Sequence, residues 1–366
     1  MHRLSAARRH ECGDAALDVL SRLIPAVARP GGTVLVASLR LFAALIACSA
    51  ALTAPARAQQ QVRIGIGYGL AFLPLYICED LKLVEKYAKA AHLDVKASFP
   101  RLSGAGAVED AIAAREIDIG PFGTAPLLVA ATEAKRKSQE IRAVSGVTTM
   151  PLVLLSNEAN VHTLADLRPT DRIAMPTLTA PQMYVLELQS EKIFGRYDRL
   201  RSQVVALSHA DAITALVAGN GPITAYFSSA PYTELALRNA NIHPVLSSAD
   251  VMNGKASFLL LGATVSYIEA HPKIPEAIDK AIDEAARIIH DDARRAAAIY
   301  LTHEPSRVLD AAAIEAVLKA NKDEFGSAVQ GVQTLADFMG RDGELKSPPQ
   351  TWKEIVAPAL LTSPST

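Results

Sequence analysis

The chain has 366 residues, 37 basic and 38 acidic, with three cysteines and nine histidines, and half of it is hydrophobic. A net charge of −1 without a basic cluster excludes a nucleic-acid surface, and the length allows one large core or two modest ones. Reading from the N-terminus, residues 41–58, LFAALIACSAALTAPARA, have the apolar stem and small-residue cut site of a secretory signal. The stem is about a dozen residues, too short to span a bilayer as a helix, with Arg40 as its positive flank and Ala56-Arg57-Ala58 in the A-x-A form. Cleavage after Ala58 is expected, so the mature chain begins at Gln59. Leu45, Ile46, Ala47 and Cys48 also fit a lipoprotein lipobox, a reading that leaves only 41–47 as the stem. The lead-in before the stem, with Arg8, Arg9, Arg22 and Arg29, is unusually long, as a start codon placed too far upstream would produce. Within 1–58 lie seven of the basic and three of the acidic residues, which leaves 30 against 35 in the remainder. Cys12 and Cys48 go with the leader, and Cys78 is left without a partner for an internal disulfide.

After the leader, short β-branched runs alternate with amphipathic stretches, the pattern of an α/β fold with largely parallel sheets. Strands are expected at 62–67, 93–99, 117–120 and 141–147, with helices at 77–91, 105–115 and 126–137 between them. A second unit follows a strand at 152–156: strands at 172–175, 203–206, 223–227 and 243–246, helices at 181–194, 211–218 and 231–238. A further strand at 258–262 leads into a helical tail, in which 274–290 keeps apolar residues at helical spacing and carries Glu284 and Arg287 on its wet side. A chain that builds one unit, crosses to another and returns has two domains joined by two linkers. The expected division is 59–152 plus 258–366 as domain 1 and 153–257 as domain 2, with a hinge near 150–156 and 254–260.

Open α/β sheets bind ligands beyond the carboxyl ends of their strands, where loops enter helix N-termini. Those loops hold Tyr68, Leu70 and Phe72; Arg101 and Ser103; Gly123 and Thr124; Thr177, Thr179 and Gln182; His209; and Ser228 and Ser229. Thr124, Thr179 and Ser229 each stand where an N-cap hydroxyl is expected, so several helix ends could converge on a polar group. Arg101 is the one charged residue in these loops, whereas Tyr68, Phe72, Phe122, Phe227 and Tyr232 lie in or beside them, which fits an apolar-walled pocket with few donors. Phe122 and Phe227 are equally readable as core. No H-E-x-x-H, G-x-S-x-G or P-loop pattern is present, Gly65 to Gly69 has the wrong spacing for a dinucleotide fingerprint, and a triad of Ser103, Asp118 and His209 would need chance proximity. The residues therefore favour a binding protein with no metal and no cofactor over an enzyme. Cys78 reads as buried rather than reactive.

Five segments carry a likeness to a known family: GLAFLPLYICEDLKLVEK (69–86), SGAGAVEDAIAAREIDIG (103–120), TLADLRPTDRIAMP (163–176), ITAYFSSAP (223–231) and TLADFMGRDGELKSPPQTWKEI (334–355). In that order they resemble the periplasmic solute-binding proteins of ABC importers of the nitrate, sulfonate and taurine type, relatives of the thiamine-precursor binders. The resemblance implies a type II periplasmic-binding fold, a monomer in the periplasm that closes on a small-molecule solute and delivers it to an inner-membrane ABC permease. It places ligand contacts at Tyr68, Leu70, Phe72, Ser103, Gly123, Thr124, Thr177, Thr179, Gln182, Ser228 and Ser229, to which the loop reading adds His209. Charged groups facing a bare anion are expected in nitrate and bicarbonate binders, and this chain offers only Arg101 and His209. An organic sulfonate, carboxylate or aromatic solute is thereby favoured. A sensory binding protein that presents its ligand state to a membrane kinase, or an enzyme using the same cleft, are the alternatives.

Overall fold

The alternating pattern resolves into two groups of strands in the computed structural model, which describes residues 59–102, 105–134, 136–219, 221–306 and 308–362. The leader 1–58, with its expected cut after Ala58 and the alternative at Cys48, lies outside the described residues, and so does Ser103. In the first group, β1 (Gln60–Arg63) runs parallel to β2 (Val95–Ser98), and single parallel bridges from Ile64 to Ile119 and from Ile66 to Arg101 extend the pairing. Beside them β10 (Leu259–Thr264) lies antiparallel between β3 (Gly120–Gly123) and β4 (Ile141–Thr148). The second group is a five-stranded sheet in the order β7-β6-β8-β5-β9, from β5 (Val153–Ser156), β6 (Arg172–Met175), β7 (Val204–Ala206), β8 (Ile223–Ser228) and β9 (His243–Ser247). Here β6 is parallel to β7 and β8, but β5 is antiparallel to β8 and β9. The sheets are thus mixed rather than largely parallel. Both exceptions, β5 and β10, follow the chain's passages between the groups, where direction is set by the passage and not by a helical crossover.

The helices are α1 (Leu73–Leu81), α2 (Leu83–Ala90), α3 (Ala105–Ala113), α4 (Thr124–Thr132), α5 (Pro181–Phe194), α6 (His209–Ala218), α7 (Tyr232–Ala236), α8 (Ser248–Met252), α9 (Val265–Ala270), α10 (Lys273–Asp291), α11 (Ala293–His303), α12 (Ala311–Ala320) and α13 (Val332–Asp342). The single helix expected over 77–91 is two, because Lys82 turns left-handed at φ 51 and its N–H closes on the carbonyls of Cys78 and Glu79. Cys78 is fully buried, and that burial pushes its thiol pKa up, so it is a packing residue. Along α10, Ile274, Ile278, Ile282 and Ile289 are all buried, each contributing about 1.5–3 kcal/mol. On its wet side Glu284 pairs with Lys86 of α2 at 2.5 Å rather than with Arg287.

One core cluster joins Val62, Ile64, Tyr76, Ile282 and Tyr300. Another draws Phe122 and Leu127 together with Leu154, Leu186, Phe227 and Phe338, so Phe122 and Phe227 are core and the cluster runs through both groups of strands. Glycine is required where β4 brushes the segment before α13: the Gly146 N–H donates to Ser327 O at 2.7 Å, and a Cβ there would stand 2.3 Å from Ala328 O. Gly146→Ala is expected to cost about 2 kcal/mol through forced backbone displacement, read as a lowered calorimetric melting point; an unchanged one would show that this contact is slack.

Candidate functional site

At the carboxyl end of β1 the backbone is pinned from both sides. Ile66 N–H donates to Pro100 O at 3.0 Å and Leu102 N–H to Ile66 O at 2.8 Å, which fixes Arg101 beside the loop that begins at Gly67. Its guanidinium folds back over the ring of Tyr76 (4.7 Å) and under that of Tyr68 (5.2 Å). Nη1 donates to Gly67 O at 3.2 Å and to the Tyr76 hydroxyl at 3.1 Å, and Nη2 donates to His303 Nδ1 at 3.0 Å. Arginine only donates, so His303 accepts through Nδ1 and carries its proton on Nε2, which donates to Asp80 Oδ1 at 2.9 Å. The His303 ring lies flat on Tyr76, centroids 4.6 Å apart. Every group that Arg101 touches here is neutral, and no ion pair to it is formed among the described residues.

Next to His303, at the end of α11, stands Glu304. Its Oε1 accepts the Gly69 N–H at 2.6 Å and the Tyr76 O–H, while Oε2 is 3.4 Å from the Tyr300 hydroxyl. Gly69 can offer that N–H because it holds φ at 102°, a conformation open to glycine. Burial first, and then Glu304, raise the phenol pKa values of Tyr76 and Tyr300.

A second cluster is built on β8, α6 and α7. His209 is the first residue of α6, behind the N-cap Ser208, and its ring stacks on Tyr232 at 4.8 Å. Its Nδ1 is hydrogen-bonded to the buried Tyr226 hydroxyl and its Nε2 lies 3.3 Å from Ser229 Oγ. Burial pushes the His209 pKa down to about 4, so the imidazole is neutral at neutral pH. The charge of Glu304 reaches this second cluster as well: the Tyr232 pKa is raised first by burial and then by that charge.

Of the sequence-derived candidates, Tyr68 is 58% exposed above Arg101, and His209 and Ser229 meet as described. Phe72 is partly buried against Gly67. A Cβ on Gly123 would lie 3.4 Å from Pro181 Cγ, so the first turns of α4 and α5 touch. Gln182 is 2% exposed, with its Oε1 unpartnered. Other candidates are engaged within the protein or differ from the expected caps. Leu70 is wholly buried in the core. Ser228 is also buried, its hydroxyl shared between Val153 O and Thr233 Oγ1, both at 2.8 Å. None of the three supposed caps is one. Gly123 caps α4 and the Thr124 hydroxyl donates to Ser257 O; Ala180 caps α5 because Pro181 takes the first helical position; Pro231 precedes α7 and Ser229 contributes only its carbonyl there. Thr177 and Thr179 are exposed, their hydroxyls 3.5 Å apart. Asp118 is committed to a 2.6 Å salt bridge with Arg63. Sequence reasoning did not place Tyr76, Tyr300, His303 or Glu304 at this site. The last three stand at i, i+3 and i+4 of one helix end, a spacing that shares a face and was visible in the sequence.

No protein-family model matches the chain, and no curated protein matches its sequence. Solved structures do. The periplasmic aliphatic sulphonate binding protein SsuA of Escherichia coli superposes with TM-score 0.64 at 17% identity, over 83% of this chain and 99% of that one. The alkanesulfonate-binding protein SsuA of Xanthomonas axonopodis pv. citri, bound to MOPS, gives 0.62 at 18% identity over 82% and 97%. The periplasmic nitrate-binding protein NrtA of Synechocystis PCC 6803 gives 0.59 at 13% identity over 82% and 87%. The mixed sheets and the order of helices around them are thus those of the periplasmic binding protein fold.

Proposed function

We propose that this chain is the periplasmic substrate-binding component of an ABC importer, a monomer that captures a small organic anion and hands it to an inner-membrane permease. The solute carries one sulfonate or carboxylate head on an aliphatic or aromatic body. Arg101 supports this reading most directly: it is a guanidinium wedged between two tyrosines, with only neutral partners and N–H groups to spare. Tyr68, Phe72 and Tyr232 would receive the apolar body, and Ser229, backed by neutral His209, offers a hydroxyl that can donate or accept. Domain 1 comprises 59–152 plus 258–366 and domain 2 comprises 153–257, with cleavage after Ala58 releasing the protein to the periplasm. Solute is expected to close the domains about the strands near 152–155 and 258–261. Native mass spectrometry of the purified protein would identify a retained solute, and calorimetry would rank butanesulfonate, MOPS and simple carboxylates. Small-angle scattering should show a smaller radius of gyration on binding. Turnover of the bound compound, or no binding of any organic anion, would overturn the proposal.

A further inference from the structure

We infer that Glu304 is the residue that sets the charge of the solute this site accepts, admitting a head with a single negative charge and excluding dianions such as sulfate and hydrogen phosphate. The inference rests on the reading of Arg101 as the anion anchor. Glu304 is one hydroxyl away from Arg101, because the Tyr76 O–H that donates to Glu304 Oε1 itself accepts from Arg101 Nη1 at 3.1 Å. The same carboxylate oxygen occupies the Gly69 N–H at 2.6 Å, a loop amide that would otherwise be open to an oxyanion. The pair is not a salt bridge: guanidinium and carboxylate do not touch, so Arg101 keeps donors for a ligand while Glu304 opposes its field at longer range, as Glu79 and Asp80 do from beyond His303. His209 on the second cluster adds hydrogen-bonding capacity without charge. A monoanion can place its head on the guanidinium and regain the cost of dehydration through its apolar body on Tyr68 and Tyr232. A dianion has no such body and meets the Glu304 charge twice over.

That doubling makes the idea measurable. Coulomb energy is linear in ligand charge, so whatever factor Glu304 costs a monoanion, it costs a dianion of like shape the square of that factor. For a carboxylate just beyond contact in a half-exposed site the factor is about five- to tenfold, hence about 25- to 100-fold for a dianion. Glu304→Gln keeps an oxygen to accept the Gly69 N–H and removes only the charge. Calorimetric titrations at constant ionic strength and pH would compare methyl sulfate, butanesulfonate and inorganic sulfate on both proteins. The expected result is that Glu304→Gln raises affinity for the two monoanions by one factor and for sulfate by about its square. Should that variant fail to fold in a thermal melt, Glu304→Asp, which keeps the charge one methylene further back, must give smaller gains with the same squared relation. Equal gains for sulfate and methyl sulfate, or no gain, would overturn the role of Glu304 while leaving the organic-anion reading intact. Failure of the unaltered protein to bind any sulfonate would overturn both.

Discussion

Replacing Arg101 with glutamine is expected to weaken binding of an organosulfonate by at least about 100-fold. Arginine carries five N–H donors, and three of them are used on Gly67, Tyr76 and His303. The Nε–H and one N–H of Nη2 are left for a ligand. Hydrogen bonds to a charged partner contribute on the order of 1.5 to 3 kcal/mol each, so losing two of them reaches that figure even at the lower bound. Stability should fall by much less, about 1 kcal/mol, since the three internal acceptors are neutral and the site is partly open to water. Thr124→Ala is the control. Its hydroxyl is committed to Ser257 O, so that change should lower the melting point slightly and leave affinity within about twofold. Titration and melting of both variants separate the two roles, and wild-type affinity in Arg101→Gln would mean that the solute is held elsewhere, with the convergent hydroxyls regaining their claim.

The contrast between Arg101 and Thr124 shows how far the sequence could be read. Residues 181–194 are a helix as expected, since Pro181 fixes the first turn and Gly195 closes the last in a left-handed conformation. The apolar spacing over 274–290 is likewise a one-helix pattern that needs no tertiary information. Periodicity did not reveal the break at Lys82, because α1 and α2 both turn apolar residues to one core and the pattern runs on across the kink. Strand direction in β5 and β10 was equally hidden, being settled by where the chain passes from one group of strands to the other. At the site, the loop hydroxyls could only be judged by their neighbours in sequence: a serine or threonine before a helix is read locally, whereas Thr124 and Ser228 have partners 133 and 75 residues away. Glu304 reaches Gly69 across 235 residues, and no local signal announces such a contact. Only the shared helix face of Tyr300, His303 and Glu304 hinted that this end of α11 carries more than packing.

His209 gives the second large effect, on stability against pH. In the unfolded chain its imidazole titrates near 6.5, whereas in the fold burial holds the value down to about 4. Between those limits the unfolded state binds the extra proton, so stability rises with pH. The contribution is whole above about pH 6.5, is lost as the pH falls toward 4, and changes no further below that. The slope is at most about 1.4 kcal/mol per pH unit, and with an allowance for partial exposure the whole step is roughly 2–3 kcal/mol. Either tautomer of the neutral ring suits its partners, because the hydroxyls of Tyr226 and Ser229 can each donate or accept; a protonated ring would have to donate at both nitrogens while leaving water. His209→Gln retains one donor and one acceptor at that place and removes the titration. Denaturant unfolding of both proteins at pH 4, 5, 6 and 7 should therefore show the histidine protein losing more stability than the glutamine variant over that range, the difference between them growing toward pH 4. Parallel curves would place His209 in water and remove the ground for treating Ser229 as backed by a neutral ring.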